Sequence, residues 1–234
     1  METKRFLFLG NSHTYFNDMP RLFCRMCRET GICVPEVSML ARPYATYADH
    51  LREETNLRFA LVYGGYDYLI MQQAAHSPCP SEEETLRDGG EIIRLARAQG
   101  IVPLQILPWA EKAKPERQAE LDSFYRRFAA QNGVELIPAG PVFARARTRA
   151  DLPDLYWQDG EHASPWGSCA VAAALYGTLF RRSPEGLSPV SLAFSKVTDA
   201  RGQEDWGPVP FPLEETACRA LQALVWDCIK TEKP

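Results

Sequence analysis

The chain lacks the features that would mark a membrane, nucleic-acid or nucleotide-cofactor protein. Its first apolar run, Phe6–Leu9, is four residues closed by Gly10, too short for a signal peptide, and no other run approaches the roughly 20 residues of a membrane span. An excess of one charge is missing as well. With 26 Lys and Arg against 30 Asp and Glu the net charge is -4, and no long run of either sign forms a polyanion footprint, so nucleic acid is not an expected partner. Neither a P-loop nor a G-x-G-x-x-G stretch occurs, so nothing supports a nucleotide cofactor.

The seven cysteines (24, 27, 33, 79, 169, 218 and 228) are an odd number, and several fall in segments that read as buried helix. That suits reduced thiols in the cytoplasm better than a disulfide framework. Cys24 and Cys27, with Cys33 nearby, lack a fourth zinc ligand. A redox C-x-x-C should open a helix, and this one lies inside a helical pattern. No metal and no cofactor is expected.

What the chain does have is a regular alternation of short apolar runs and longer amphipathic segments. Strands are expected at Arg5–Leu9, Val34–Met39, Tyr68–Gln72, Ile101–Leu107 and Val134–Ile137. Helices are expected at about Met19–Thr30, Tyr47–Arg58, Glu82–Gln99, Pro115–Asn132 and Pro165–Arg181. Strands joined by crossover helices run parallel with right-handed connections, so the expected fold is a three-layer α/β/α sandwich around a five-stranded parallel sheet. Residues 1–234 read as one domain, which a 45% hydrophobic content can support with a sizeable core. After Arg182 the rhythm fails: Ser183–Pro212, with "SPEGLSPV" and "GPVPFP", reads as an irregular surface excursion, and 213–230 as a C-terminal helix on the same domain.

In such a fold the loops after the strands line the ligand crevice. Strand one ends in "LGNSHT" and strand three in "QQAAHSP", so both loops should face it. A serine hydroxyl becomes a nucleophile only when a base takes its proton, usually a histidine oriented by a carboxylate. Only four histidines exist. His13 follows Ser12, His50 lies in a helix pattern beside Leu51 and Leu57 and reads as structural, and His76 follows strand three. His162 lies in "WQDGEHASPWG", where Asp159 precedes it by three residues. Ser164 and Pro165 then read as N-cap and first residue of a helix, leaving Asp159 and His162 together in the preceding turn. Taken alone, Ser12 would be an ordinary turn residue; a partnership with that turn gives it chemistry.

At these residues the chain resembles the SGNH (GDSL) hydrolases, serine esterases and acylhydrolases with a flavodoxin-like α/β/α sandwich. "GNSHT" is similar to the family's nucleophile block and "DGEH" to its terminal D-x-x-H block, and the order over Arg5–Arg181 matches. The resemblance implies Ser12 as nucleophile, His162 as base and Asp159 as its orienting acid. Asn11 replaces the usual Asp of the first block. The family's second-block glycine has no counterpart in "ARPYATYADH", where the backbone N–H of Tyr44 or Ala45 is expected to serve instead. For the third block "GGYD" precedes its strand and lies at the wrong sheet edge. Gln72, with Gln73 as second choice, is expected as the amide donor, so the oxyanion hole would comprise Ser12, Tyr44 or Ala45, and Gln72.

Asn11, His13, Gln73, His76, Trp109 and Trp166 are candidates for substrate contact. His13 and His76 are equally readable as satisfying loop hydrogen bonds, and the two tryptophans as packing. The implied reaction is acyl transfer on a small-molecule ester, with small acyl groups, acetyl above all, implied by the resemblance. A lysophospholipase or thioesterase, or a non-catalytic binding module on the same scaffold, stands as the alternative.

Overall fold

Five parallel strands carry the fold. In a computed structural model, which describes residues 1–76, 78–198 and 204–232, they are β1 (Thr3–Gly10), β2 (Val34–Ala41), β3 (Tyr68–Met71), β4 (Val102–Ile106) and β5 (Glu135–Ile137), in the order β2-β1-β3-β4-β5. Ser77 of "QQAAHSP" and positions 199–203 of the expected excursion lie outside the described residues.

Side chains alternate along β1. Phe6 and Phe8 enter one apolar layer and Leu7 and Leu9 the other, all fully buried. Burial of each such side chain contributes about 1.5–3 kcal/mol. The first layer is closed by helices α2 (Met19–Thr30), α7 (Ala139–Ala146), α8 (Pro165–Phe180) and α9 (Glu215–Thr231). The second is closed by α3 (Tyr47–Arg52), α4 (Glu54–Tyr63), α5 (Glu82–Arg97) and α6 (Arg117–Asn132). This is a three-layer α/β/α sandwich. Among the described residues, no helix is long and apolar enough to cross a membrane.

Topology decides where a site can form. From β1 the chain goes out to β2 and returns past β1 to β3, so the direction of winding reverses between β1 and β3. Their carboxyl ends border the crevice that such a reversal opens. The last paired residues are Leu9 and Met71, and the Gln72 N–H extends the ladder onto the Leu9 carbonyl at 2.9 Å. The segments after Leu9 and after Met71 therefore start side by side.

Three local expectations are corrected. The single helix over Tyr47–Arg58 is two, α3 and α4, broken at Glu53 (ψ 51°), and it runs on to Tyr63. Helix α7 was not foreseen in "AGPVFARA", because Gly140 and Pro141 look like breakers. Both fall in the first turn, where no intrahelical N–H donor is needed. The stretch Ser183–Pro212 is not irregular throughout: β6 (Val190–Thr198) and β7 (Glu204–Pro212) pair antiparallel as a two-stranded ribbon. Pro208, Pro210 and Pro212 occupy alternate positions of β7. In an antiparallel ladder every second residue turns its N–H away from the partner, so three prolines of one parity remove no ladder donor.

Candidate active site

The site begins where β1 stops. Asn11 caps the short helix α1 (Ser12–Tyr15), its Oδ1 accepting the His13 N–H at 3.1 Å, while its Nδ2 donates to the Ala45 carbonyl at 3.1 Å. One buried amide thus holds both the Ser12 turn and the β2–α3 loop. Gly10 has no room for a side chain: a Cβ there would lie 2.2 Å from Thr14 Oγ1.

The second half comes from the turn ahead of α8. Asp159 Oδ1 accepts the N–H groups of Glu161 (2.8 Å) and His162 (2.9 Å), which closes the turn and leaves Oδ2 to accept His162 Nδ1–H at 2.7 Å. With Nδ1 carrying the proton, His162 Nε2 accepts the Ser12 hydroxyl at 2.8 Å. The chain Ser12–His162–Asp159 is therefore continuous. Burial would raise the Asp159 carboxyl, but the Glu161 N–H and the His162 ring and N–H together hold it below the usual carboxylate range. Glu161, the other nearby carboxylate, contributes only its backbone to this turn.

Three contacts fix the turn. The Trp157 N–H donates to the His162 carbonyl at 2.7 Å, Lys112 N–H donates to the Gly160 carbonyl at 2.8 Å, and Trp109 Nε1–H donates to the Glu161 carbonyl at 2.8 Å. Ser164 caps α8 on the Gly167 N–H, with Pro165 in its first turn, as the sequence indicated. The link between the two halves is Asn17, which donates to the Ala163 carbonyl and to Ser168 Oγ, both at 2.9 Å. Asn17 is buried in left-handed backbone (φ 52°), within a 3-10 turn at Phe16–Asp18 that joins α1 to α2. Sequence reasoning missed it; the run Asn17-Asp18-Met19-Pro20 signals only a helix start.

Of the expected oxyanion donors, the Ala45 N–H is committed to the Arg42 carbonyl at 3.2 Å. Tyr44 adopts φ 60°, the region glycine enters without steric cost, so the loop keeps a glycine-like conformation without the glycine. Its side chain is 86% exposed. Gln72 Oε1 accepts the Thr14 hydroxyl at 2.8 Å, which leaves its Nε2 group without a partner among the described residues. Gln73 is buried like Gln72, but its Oε1 is taken by the Tyr47 and Ala74 N–H groups.

Several candidates for substrate contact are corrected on burial. Asn11 is 1% exposed and fully engaged, and Trp109 is 1% exposed, stacked on Phe143 at 4.4 Å. Both are structural supports. Trp166 is partly buried and packs against the main core. His76 donates Nε2–H to the Trp109 carbonyl at 2.9 Å. His13 directs Nδ1 at Asn11 Oδ1 (3.3 Å) and meets His76 edge-on at 4.4 Å. Burial, then the His76 and His162 rings, push the His13 pKa well below its ordinary 6.5. Burial also lowers His76. His50, expected to be structural, bonds through Nε2 to the Gly10 carbonyl at 2.9 Å, two residues before Ser12. Among the described residues no cluster of three or more His, Cys, Asp or Glu side chains could hold a metal ion.

Fold and site together define an α/β/α sandwich with a Ser-His-Asp arrangement at its topological switch point. No protein-family model and no curated protein matches the sequence. Solved structures do. A candidate SGNH hydrolase from Slackia heliotrinireducens superposes with a TM-score of 0.64 at 28% identity, over 76% of this chain and 100% of its own. The acetyl xylan esterase AlAXEase gives 0.63 at 16% identity, over 75% and 99%. A lipase/acylhydrolase from Enterococcus faecalis gives 0.60 at 15%, over 74% and 93%. The last two show likeness of fold. The first, with the sequence blocks around Ser12 and Asp159, makes this chain similar to the SGNH (GDSL) hydrolases in both fold and sequence.

Proposed function

We propose that the chain is a serine carboxylesterase in which Ser12 is the nucleophile, His162 the general base and Asp159 its orienting acid. One observation carries this reading: the unbroken hydrogen-bond chain from Ser12 Oγ through both nitrogens of His162 to Asp159, at 2.8 and 2.7 Å. A neutral imidazole with its Nδ1–H on a carboxylate presents its Nε2 lone pair to the serine proton, which is the state a general base needs.

As Ser12 Oγ attacks the ester carbonyl, its proton passes to His162 Nε2. The oxyanion is received by the Ser12 N–H, the Tyr44 N–H and the Gln72 amide. Collapse returns the proton from His162 to the departing alcohol, and water then releases the acid by the same route in reverse. Thr14 supports this assignment of Gln72, since its hydroxyl engages the amide oxygen and leaves the nitrogen as the donor end.

The substrate reading is a small-acyl ester, acetyl above all, of a carbohydrate or small metabolite. It is supported by fold likeness to an acetyl xylan esterase. Two exposed aromatic rings also stand beside the site: Tyr44 and Trp157, which is 37% exposed and two residues before Asp159. The seven unpaired cysteines, six of them buried, suit a reducing cytoplasm. Hydrolysis of p-nitrophenyl acetate, and labelling by a fluorophosphonate, should both vanish in Ser12→Ala while its melting temperature is retained. Full activity in that variant would end the reading. A preference for octanoyl over acetyl esters would move the substrate class to the lysophospholipase or thioesterase alternative.

A further inference from the structure

Hydrogen bonds at both nitrogens of His162 fix the direction of the ring but leave it free to rock about the line joining those nitrogens. Two aromatic faces oppose that rocking. The His162 imidazole stacks on His13, centroids 4.8 Å apart and planes 15° apart, and on Phe16, at 4.5 Å and 27°. Both rings come from the same turn as the nucleophile, three residues apart in sequence. Each ring is itself braced edge-on. His13 meets His76 at 4.4 Å and Trp109 at 5.3 Å, while Phe16 meets Trp157 at 6.2 Å and Phe194 of β6 at 5.9 Å.

Core packing does not account for this arrangement. Phe16 and Phe194 are both only partly buried, and neither belongs to the two core clusters. The ribbon carrying Phe194 is nonetheless firmly seated, with Leu192 buried and the Ser191 hydroxyl donating to the Pro165 carbonyl at 2.6 Å. The ring that His162 would present as an imidazolium during acyl transfer also gains from an aromatic face, because a cation over a π system is attracted to it.

We propose that Phe16 and His13 are positioning residues for His162, and that Phe194 braces Phe16, which makes the β6–β7 ribbon part of the ester-hydrolysis machinery. The proposal rests on the Ser12–His162–Asp159 reading and adds two rings and one strand to it. A small misplacement of a base lowers turnover without weakening substrate binding, so the effect should fall on kcat.

The test compares Phe16→Leu, which keeps apolar bulk and loses the ring, with Phe16→Tyr, which keeps the ring, and with Phe194→Ala, using p-nitrophenyl acetate. Phe16→Leu should lower kcat about tenfold or more with KM within about twofold, and Phe16→Tyr should recover most of the loss. In NMR spectra the His162 ring protons should sit upfield in the unmodified protein from the stacked rings, and move downfield in Phe16→Leu but not in Phe16→Tyr. Phe194→Ala should shift the same resonances and lower kcat by about threefold. An unchanged kcat in Phe16→Leu, or a rise in KM alone, would overturn the positioning role. Unchanged kcat and resonances in Phe194→Ala would remove the ribbon from it. Should Phe16→Leu fail to fold, Phe194→Ala decides the proposal by itself. Ser12→Ala runs beside them: if it stays active the underlying triad reading fails, whereas an inactive Ser12→Ala with an unaltered Phe16→Leu sinks the ring proposal alone.

Discussion

At the scale of single residues, the β2–α3 loop poses the sharpest physical question, because a tyrosine stands in a conformation that favours glycine. A non-glycine residue in the left-handed region carries about 1 kcal/mol or more of strain. Tyr44 does so with a side chain that is mostly in solvent, so little packing offsets it. Tyr44→Gly should therefore leave the melting temperature unchanged or raise it, and a fall of several degrees would show that the tyrosine ring makes a stabilising contact. Gln72 is the proposed amide donor of the oxyanion hole. Gln72→Ala should lower kcat by about two to three orders of magnitude, since removal of one oxyanion donor has that effect; a loss below fivefold in steady-state assays would exclude the amide from the hole. Ser12, Asp159 and His162 were legible in the sequence because their residue types and their spacing are local facts. Asn17 and Phe16 were not. Their roles consist of contacts to Ala163, Ser168 and His162, about 150 positions away, and nothing in "YFNDMP" announces those partners.

At the scale of elements, the helix that follows the base turn shows how packing transmits into the site. Helix α8 is buried on nearly every side, and its third residue, Gly167, lies against the loop before the triad turn: a Cβ there would lie 2.2 Å from the Leu155 carbonyl and 2.9 Å from the Phe143 ring. Backbone cannot yield as a flexible side chain does. Gly167→Ala should lose about 1–3 kcal/mol in urea unfolding and lower turnover as well, because the start of α8 would move away from the Leu155–Ala163 segment. A variant with unaltered stability would show that the helix start can shift freely. Most helices were legible from caps and periodicity, and α2 begins and ends where the pattern placed it. The ribbon was not. Its alternating prolines look like breakers in a linear reading, yet on one edge of a two-stranded ladder they are harmless, and they leave that outer edge of β7 poor in donors for any further strand.

At the scale of the whole molecule, three of the four histidines on or near the site have pKa values lowered from 6.5, chiefly by desolvation: His50 and His76, which are buried, and His13, which is partly buried. The unfolded chain, with ordinary values, then binds more protons than the folded one in the window between each lowered pKa and 6.5. Stability is complete above about pH 6.5 and falls as pH drops through that window, by up to about 1.4 kcal/mol per pH unit for each histidine involved. Urea midpoints at pH 7.5 and 5.5 should show this fall, and His50→Gln should make it shallower; a midpoint that rises on acidification would contradict the assignment of neutral buried imidazoles. The sequence by itself determined the element order, the parallel sheet and the identity of a serine and an Asp-His turn at the ends of that order, because hydrophobic period, capping residues and short-range spacing are written along the chain. Only the tertiary structure decided that Ser12 bonds to His162, 150 positions on, and not to adjacent His13, that the amide oxygen of Gln72 is held by Thr14 and that of Gln73 by Tyr47 and Ala74, and that β6 and β7 pair as a ribbon. Those outcomes depend on which strands become neighbours and which side chains are then buried, and no local propensity encodes either.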